Sequence, residues 1–353
     1  MINTFDITEF GAIGDGVTDC TEAVQKAFDA ARDCKGKIVV PPGRYAVKGD
    51  LKLRGEGVSL VGCSAWSYRN DGASAFILTN DKAECLLDIS GAFGCKIIGI
   101  SLNGQKLGEN IHGIKLWWEH YNGGGQEDTP NIEDCRISHF TGDGMHLYHV
   151  WCYSVRRNHV ISNGGAALRF SGWDAFITDN WFANNGGGGI ATNGYVASIT
   201  ATGNRIEWNR KGGFIIPAGD SFNITGNFFD RTFGPALDLG SENGVVNLAS
   251  ITGNVFRRGG CHDGVPFEDE ERSCHVIMNG CTGCVMTGNT MKVGAGDGNV
   301  MPISPDYGLI IRNCECSMIK DNVMFNGSIK NNLIEENNKN CVIEGNIGSL
   351  FEG

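Results

Sequence analysis

Two acids hold equivalent places in similar phrases: Glu207 in Asn204-Arg205-Ile206-Glu207 and Asp230 in Asn227-Phe228-Phe229-Asp230. Arg257 takes the same place in Asn254-Val255-Phe256-Arg257. If the phrases stack in register as parallel strands, their backbones lie ~4.8 Å apart, with Glu207 beside Asp230 and Asp230 beside Arg257. Carboxylates that close repel, so one of them keeps its proton near neutral pH. An acid beside a base is what glycosidic cleavage requires, at ~5–5.5 Å for retention and ~6.5–9.5 Å for inversion. One residue after the Asn, on the same outward face, stand His159, Trp181, Arg205, Phe228 and Val255. Trp181 and Phe228 offer flat apolar surfaces for sugar rings, and Arg205 and Arg257 supply cations. The competing structural reading is a solvated charge ladder with one salt bridge, its aromatics covered by a neighbouring subunit.

A second outward row reads Trp117, Tyr148, Arg169, Ala191, Ile216, Asp238. Trp117 opens Trp117-Trp118-Glu119-His120-Tyr121, and the Asn122-Gly123-Gly124-Gly125 stretch behind it is suited to fold over a ligand. Arg169 is placed to neutralise an acidic sugar or to pair with Asp238, and Asp238 with Glu242 forms a further acid pair. His139 and His146 offer imidazole bases. The insertion holding Gly260-Cys261-His262-Asp263-Gly264 and Glu268-Asp269-Glu270-Glu271 has oxygens for calcium, but consecutive acids on a loop are ordinarily solvated and mutually repelling. No metal set is assigned and no cofactor is expected.

These side chains need elements that repeat. Ile-Thr-Asp-Asn at 177–180 returns as Thr-Gly-Asn at 202–204 and Ile-Thr-Gly-Asn at 224–227 and 251–254. Met-Thr-Gly-Asn at 286–289, Ile-Lys-Asp-Asn at 319–322 and Ile-Glu-Gly-Asn at 343–346 follow. From Asn158 the spacings are 22, 24, 23, 27, 35, 33 and 24 residues. A floor near 22 with occasional insertions describes rungs of constant girth carrying loops of variable length. Period-2 alternation around each Asn means short strands. Rungs of this size stacked at ~4.8 Å make an all-β parallel solenoid. In register, each Asn amide donates to the next, satisfying buried polar groups at a turn.

Composition agrees. The 353 residues contain 52 Gly and 32 Asn, both poor in helix interiors, and only 8 Pro. The net charge of −11 argues against a basic nucleic-acid or membrane surface. No apolar run approaches ~18 residues. The start, Met1-Ile2-Asn3-Thr4-Phe5-Asp6, has no secretory pattern, which gives a cytoplasmic expectation. The 14 Cys read mostly as small buried hydrophobes, since Cys281/Cys284 and Cys314/Cys316 lack companions at zinc spacing.

The N-terminal region differs. Asp19 reads as the N-cap of a helix with Glu22 completing a capping box, and Ala23, Val24, Ala27, Phe28 and Ala30 form an apolar stripe. This helix is the lid of a solenoid end, giving one domain over 1–353: a cap at 1–50 and stacked coils at 51–350. The Gly14-Asp15-Gly16-Val17-Thr18-Asp19 opening, the helix and Val40-Pro41-Pro42-Gly43-Arg44-Tyr45 resemble the pectate-lyase-like superfamily. That resemblance implies a single-stranded right-handed parallel β-helix with an N-terminal capping α-helix. It is similar to the branch with polygalacturonase-type glycosidases, alginate epimerases and phage tailspikes. The coil Asn279-Gly280-Cys281-Thr282-Gly283-Cys284 also resembles inulin fructotransferases.

Thr141-Gly142-Asp143 resembles the polygalacturonase stretch that supplies a catalytic Asp, which makes Asp143 a third catalytic candidate. Gly144 stands where those enzymes place a second Asp, and their Asn-Thr-Asp, Gly-His-Gly and Arg-Ile-Lys motifs are absent. The expected activity is glycosidic cleavage or transfer on an oligo- or polysaccharide by paired outer-face carboxylates. The alternatives are a fructotransferase-like enzyme, a uronate lyase or epimerase using a basic residue and a cation, and a non-catalytic tailspike-like glycan binder. The epimerases' Asp-Pro-His motif is missing. The exposed aromatic row and the habits of β-helix relatives give the expectation of a homo-oligomer, a trimer by that analogy, with neither nucleic acid nor membrane as partner.

Overall fold

The computed structural model describes residues 3–63, 67–117, 127–262, 265–299 and 301–353. The loop expected over a ligand, Trp118 to Gly125, and the Asp263-Gly264 pair lie outside the described residues. Short strands dominate, with one α-helix, Thr21–Arg32, among the described residues. The chain forms two compact units, Met1–Phe182 and Ala183–Gly353.

Each unit consists of parallel coils whose strands build two sheets. In the first unit Ser101–Asn103, Arg136–Ser138 and His159–Ile161 stack in one sheet, residue on residue. His112–Trp117, Met145–Trp151 and Leu168–Thr178 stack in the other. In the second unit Arg205–Glu207, Phe228–Asp230 and Val255–Arg257 repeat the pattern. Ile137 and Val160 fill the first unit's interior, and Ile206, Phe229 and Phe256 the second's, all fully buried. Phe229 and Phe256 lie nearly parallel with centroids 4.9 Å apart, the geometry that strict vertical register imposes.

The recurrent Asn is a ladder in both units. Asn158 Nδ2 donates to Asn180 Oδ1 at 3.1 Å. In the second unit Asn204, Asn227, Asn254, Asn289, Asn322 and Asn346 form successive amide-to-amide bonds of 2.8–3.0 Å. Each Oδ1 also accepts the backbone N–H of the Asn one rung earlier, as Asn227 does from Asn204 at 3.0 Å. The residue before each Asn is left-handed: Arg157 at φ 54°, Asp179 at 58°, Gly226 and Gly253 at 64°. Nothing lies within 4 Å of a Cβ built on Gly226 or Gly253, so conformation rather than space selects glycine there. The Gly-Asn and Asp-Asn phrases are therefore one turn device.

The helix departs from expectation in detail. Its N-cap is Cys20, whose side chain makes no capping bond, and not Asp19. Asp19 sits one residue earlier, accepts from Thr21 N at 3.0 Å and pairs with Lys48 at 2.8 Å. Glu22 closes no box and pairs with Lys26 at 2.7 Å. Ala31, in place of Ala23 and Ala30, completes the buried stripe of Val24, Ala27 and Phe28. All 14 cysteines are free.

Asn227→Ala leaves the buried Ala201 carbonyl and Asn204 N–H unsatisfied, at ~1–3 kcal/mol each. Urea unfolding is expected to show a loss of about 3 kcal/mol, and a loss below about 1 kcal/mol would contradict a structural role for the ladder.

Candidate functional site

In the first unit the strands Met145–Trp151, His112–Trp117 and Leu168–Thr178 bring together His112, Asp143, His146 and Arg169. Register sets Lys115 beside His146 and His146 beside Arg169. Asp143 sits in the turn before its strand and its side chain is 5% exposed. Both its oxygens are engaged. Oδ1 accepts from Ala166 N at 2.6 Å and Arg169 Nε at 3.2 Å; Oδ2 accepts from His146 Nδ1 at 2.8 Å and Arg169 Nε at 3.0 Å. Burial alone would raise the Asp143 pKa. The His146 bond, the Arg169 charge and the Ala166 N–H outweigh it and hold the carboxyl below its ordinary range.

This network fixes the tautomers. Because the ionised Asp143 takes the Nδ1–H of His146, the neutral form of that ring carries its lone pair on Nε2, which is buried and has no hydrogen-bond partner among the described residues. His112 Nδ1 accepts the Asp143 N–H at 3.0 Å, so its proton is on Nε2. Burial foremost, then the neighbouring His146, depress the His112 pKa to about 4 despite the Asp143 charge. The 3.7 Å approach of His112 Nδ1 to Asp143 is therefore not an ion pair near neutral pH.

Trp117 lies 5.6 Å from the His146 ring and stacks on Tyr148 at 4.3 Å, which lies 4.0 Å from His149. Trp117 is 38% exposed, so the stack is open to solvent at that end. The expected row is thereby corrected: Trp117 pairs with Tyr148, whereas Arg169 pairs with His146 two residues earlier. Trp117, Tyr148 and Arg169 share a face but not one rung position, and in the second unit Ile215, not the buried Ile216, stands between Ala191 and Asp238.

One ligand atom each from His112, Asp143 and His146 lies within 4.8 Å of the other two, the one metal-compatible grouping among the described residues. His112 Nδ1, Asp143 Oδ2 and His146 Nδ1 already bond within the cluster, so an ion taking those atoms would have to displace both hydrogen bonds.

The second unit treats Glu207 and Asp230 differently. Their register is adjacent, yet they are 2% and 1% exposed. Asp230 accepts from Arg258 Nε at 2.8 Å and Nη2 at 2.7 Å, with Arg231 at 3.0 Å. Glu207 accepts from Arg205 at 3.0 Å and lies 3.5 Å from Arg231. Asp297 closes the network on Arg231 and Arg258. The expected solvent-facing pair sharing a proton is thus corrected to a buried ion network. Guanidinium groups of Arg205, Arg231 and Arg258 are in place to offset the two carboxylates. The Arg258 pKa is raised overall, the pull of Asp230 exceeding the opposing effect of burial.

Arg257 is beside Asp230 in register but exposed, and its neighbours Arg231 and Arg258 make the bonds. Arg205 lies over the Phe228 ring at 4.8 Å, covering the face expected to meet a sugar. Trp181 lies 5.0 Å from Tyr68 and 5.4 Å from His159. Asp238 and Glu242 line a cavity of about 330 Å³, where Asp238 is taken by Arg272 at 2.8 Å. His139 lies next to Ser138, its Nδ1 3.2 Å from the hydroxyl. Of the acidic run, Glu271 pairs with Arg312 and Glu270 with Lys330, which spends oxygens a calcium ion would need. Sequence reasoning missed His112, Arg231, Arg258 and Asp297. No Asn phrase precedes Asn158 to flag the rung of His112, because the next rung down has Cys135 in the ladder slot.

Two parallel sheets wound in stacked coils with an Asn ladder define a parallel β-helix. Residues 151–300 match the model for a right handed beta helix region, and residues 4–85 match rhamnogalacturonase A/epimerase, pectate lyase-like. Both matches fit the right-handed β-helix superfamily with its pectate-lyase-like members. It is 32% identical over 132 residues to a probable polygalacturonase of Arabidopsis thaliana, covering 33% of this chain and 25% of that protein. It is 26% identical over 193 residues to the mannuronan C5-epimerase AlgE6 of Azotobacter vinelandii, covering 50% and 20%. The chain thus spans a quarter or less of these relatives. Among solved structures, the Dettilon tailspike protein superposes with a TM-score of 0.67 at 14% identity, over 94% of this chain and 62% of that one.

A His pKa lowered by folding means the unfolded chain binds more protons between about 4 and 6.5. Stability is therefore expected to be full above pH 6.5 and to fall as the pH is lowered toward 4. In histidine NMR, His112 stays neutral down to about pH 4, and titration near 6.5 would contradict the geometry.

Proposed function

We propose that the protein is a polysaccharide-active enzyme acting on a uronate-containing polymer, with His146 as the base and Arg169 as the carboxylate-binding cation. The observation that carries this reading is the Asp143–His146 bond of 2.8 Å, which leaves Nε2 with its lone pair. Asp143 is a poor general acid, since four hydrogen bonds favour its ionised form. It instead orients His146 and stabilises the imidazolium that forms when a proton arrives.

A proton alpha to a carboxylate becomes removable when the developing negative charge on the carboxylate is met by a cation. Only Nε of Arg169 is committed to Asp143, and its terminal nitrogens are the groups for that role. His146 Nε2 takes the C5 proton, and the electron pair moves onto the carboxylate. Expulsion of the C4 glycosidic oxygen, protonated by the same imidazolium, gives an unsaturated sugar end. Delivery of a proton from water to the opposite face, with the imidazolium releasing its own proton to solvent, gives the epimer. Similarity to a polygalacturonase and to a mannuronan C5-epimerase supports a uronate polymer as substrate.

A second reading is hydrolysis in the Asp238–Glu242 cavity, favoured by its volume of about 330 Å³. The two differ in product. Incubation with polygalacturonate and polymannuronate is followed by ultraviolet absorbance of unsaturated ends, by reducing ends and by NMR of uronate configuration. His146→Ala and Arg169→Ala are expected to lower turnover by ~10²–10⁴-fold. Glu207→Gln and Asp230→Asn are expected to retain turnover while Asp230→Asn loses about 3 kcal/mol of stability, as removal of the carboxylate that Arg258 and Arg231 share in a buried network would dictate. Saturated products abolished by Asp238→Asn, with His146→Ala active, would overturn the reading.

A further inference from the structure

On the other sheet of the first unit, one outward column runs Arg44, Ala75, Ser101, Arg136, His159 in strict register. The two middle side chains are small. Residues 67–73 lie over them, pinned where Gly72 N donates to Ser101 Oγ at 2.6 Å. Within this loop Ser67 Oγ accepts from Asn70 N at 2.9 Å and donates to Asn70 O at 3.0 Å. Asp71 is thereby set between Arg44 at 2.8 Å and Arg136 at 2.9 Å and receives Asn103 Nδ2 at 3.1 Å.

A cavity of about 310 Å³ opens here, lined among others by Arg44, Arg69, Asp71, Asn103, Arg136 and His139. It holds three guanidinium groups against one carboxylate, in a chain whose net charge is −11. Arg136 is 2% exposed, and its Nε is buried without a hydrogen-bond partner among the described residues. One rung beyond, Tyr68 stacks on His159 at 5.3 Å, lies 5.0 Å from Trp181 and is 44% exposed. An ion pair alone needs neither a cavity nor a surplus of cations. An open aromatic ring beside a cation-lined pocket of roughly monosaccharide size is the combination that recognises an anionic sugar.

We propose that this face is a second, non-catalytic glycan-binding site, in which the Arg44–Arg69–Arg136 pocket takes the anionic group of a sugar unit and Tyr68 stacks the adjoining ring. The site stands apart from the reaction assigned to His146 and requires only binding. Its charge chemistry accepts a uronate carboxylate or a sulfate ester.

Isothermal titration uses a hexagalacturonate, a sulfated galactan oligosaccharide of similar length, and the fully methyl-esterified hexagalacturonate as the uncharged control. The expected result is saturable binding of at least one anionic probe, weakened by added salt, with no binding of the ester. In a His146→Ala background that affinity is retained. Arg69→Ala and Arg44→Ala each weaken it about tenfold, and Tyr68→Ala weakens it without changing the salt dependence. Circular dichroism checks that the variants are folded, and these exposed side chains are chosen over the buried Arg136 for that reason. Absence of binding by both anionic probes, equal binding of the ester, or unchanged affinity in the arginine variants would overturn the site. Loss of turnover in His146→Ala with binding intact separates this outcome from the fate of the catalytic reading.

Discussion

Vertical register is the constraint on which the rest of the structure depends. Parallel strands place the same slot of successive coils ~4.8 Å apart, so a side chain's neighbours are chosen by sequence offset. A one-residue slip would reverse inside and outside. The Asn ladder guards against slippage because each amide must meet both a backbone N–H and the next amide. Asn254 does so with bonds of 2.9–3.0 Å on either side. The left-handed residue before it, Gly253, fixes where the turn occurs.

Register explains why similar-looking acids have different fates. Asp230 is flanked by rungs carrying Glu207 and Arg257, with Arg231 directly after Asp230 and Arg258 directly after Arg257. Those arginines fold back over the acids and bury them, giving a charge network that is costly to break from one side. Asp143 is flanked by His112 and Arg169, and the result is a base held in a defined tautomer beside a cation. The difference lies in which partners the neighbouring rungs supply.

The fold was largely legible in the sequence. The phrase ending in Asn identified coils from Asn158 onward, and Phe229 and Phe256 stack in the interior as the alternation requires. Adjacency of residues 207 and 230 was legible for the same reason. Burial was not. Alternation gives the direction in which a side chain leaves the sheet but not what later lies over it, here Arg231, Arg258 and the distant Asp297. In the first unit the ladder slot is Cys135 instead of Asn, so the phrase disappears and His112 could not be assigned to the rung beside Asp143. The Arg136–Asp71 pair depends on a loop crossing the sheet from 65 residues earlier, a contact no local spacing encodes.

The most direct test of the central claim is a crystal structure of the His146→Ala variant soaked with an oligouronate. The expected density is a sugar carboxylate on Arg169, with C5 facing the space vacated by the imidazole and a ring over Trp117. An oligosaccharide bound instead over Glu207 and Asp230, with the arginine network opened, would contradict it.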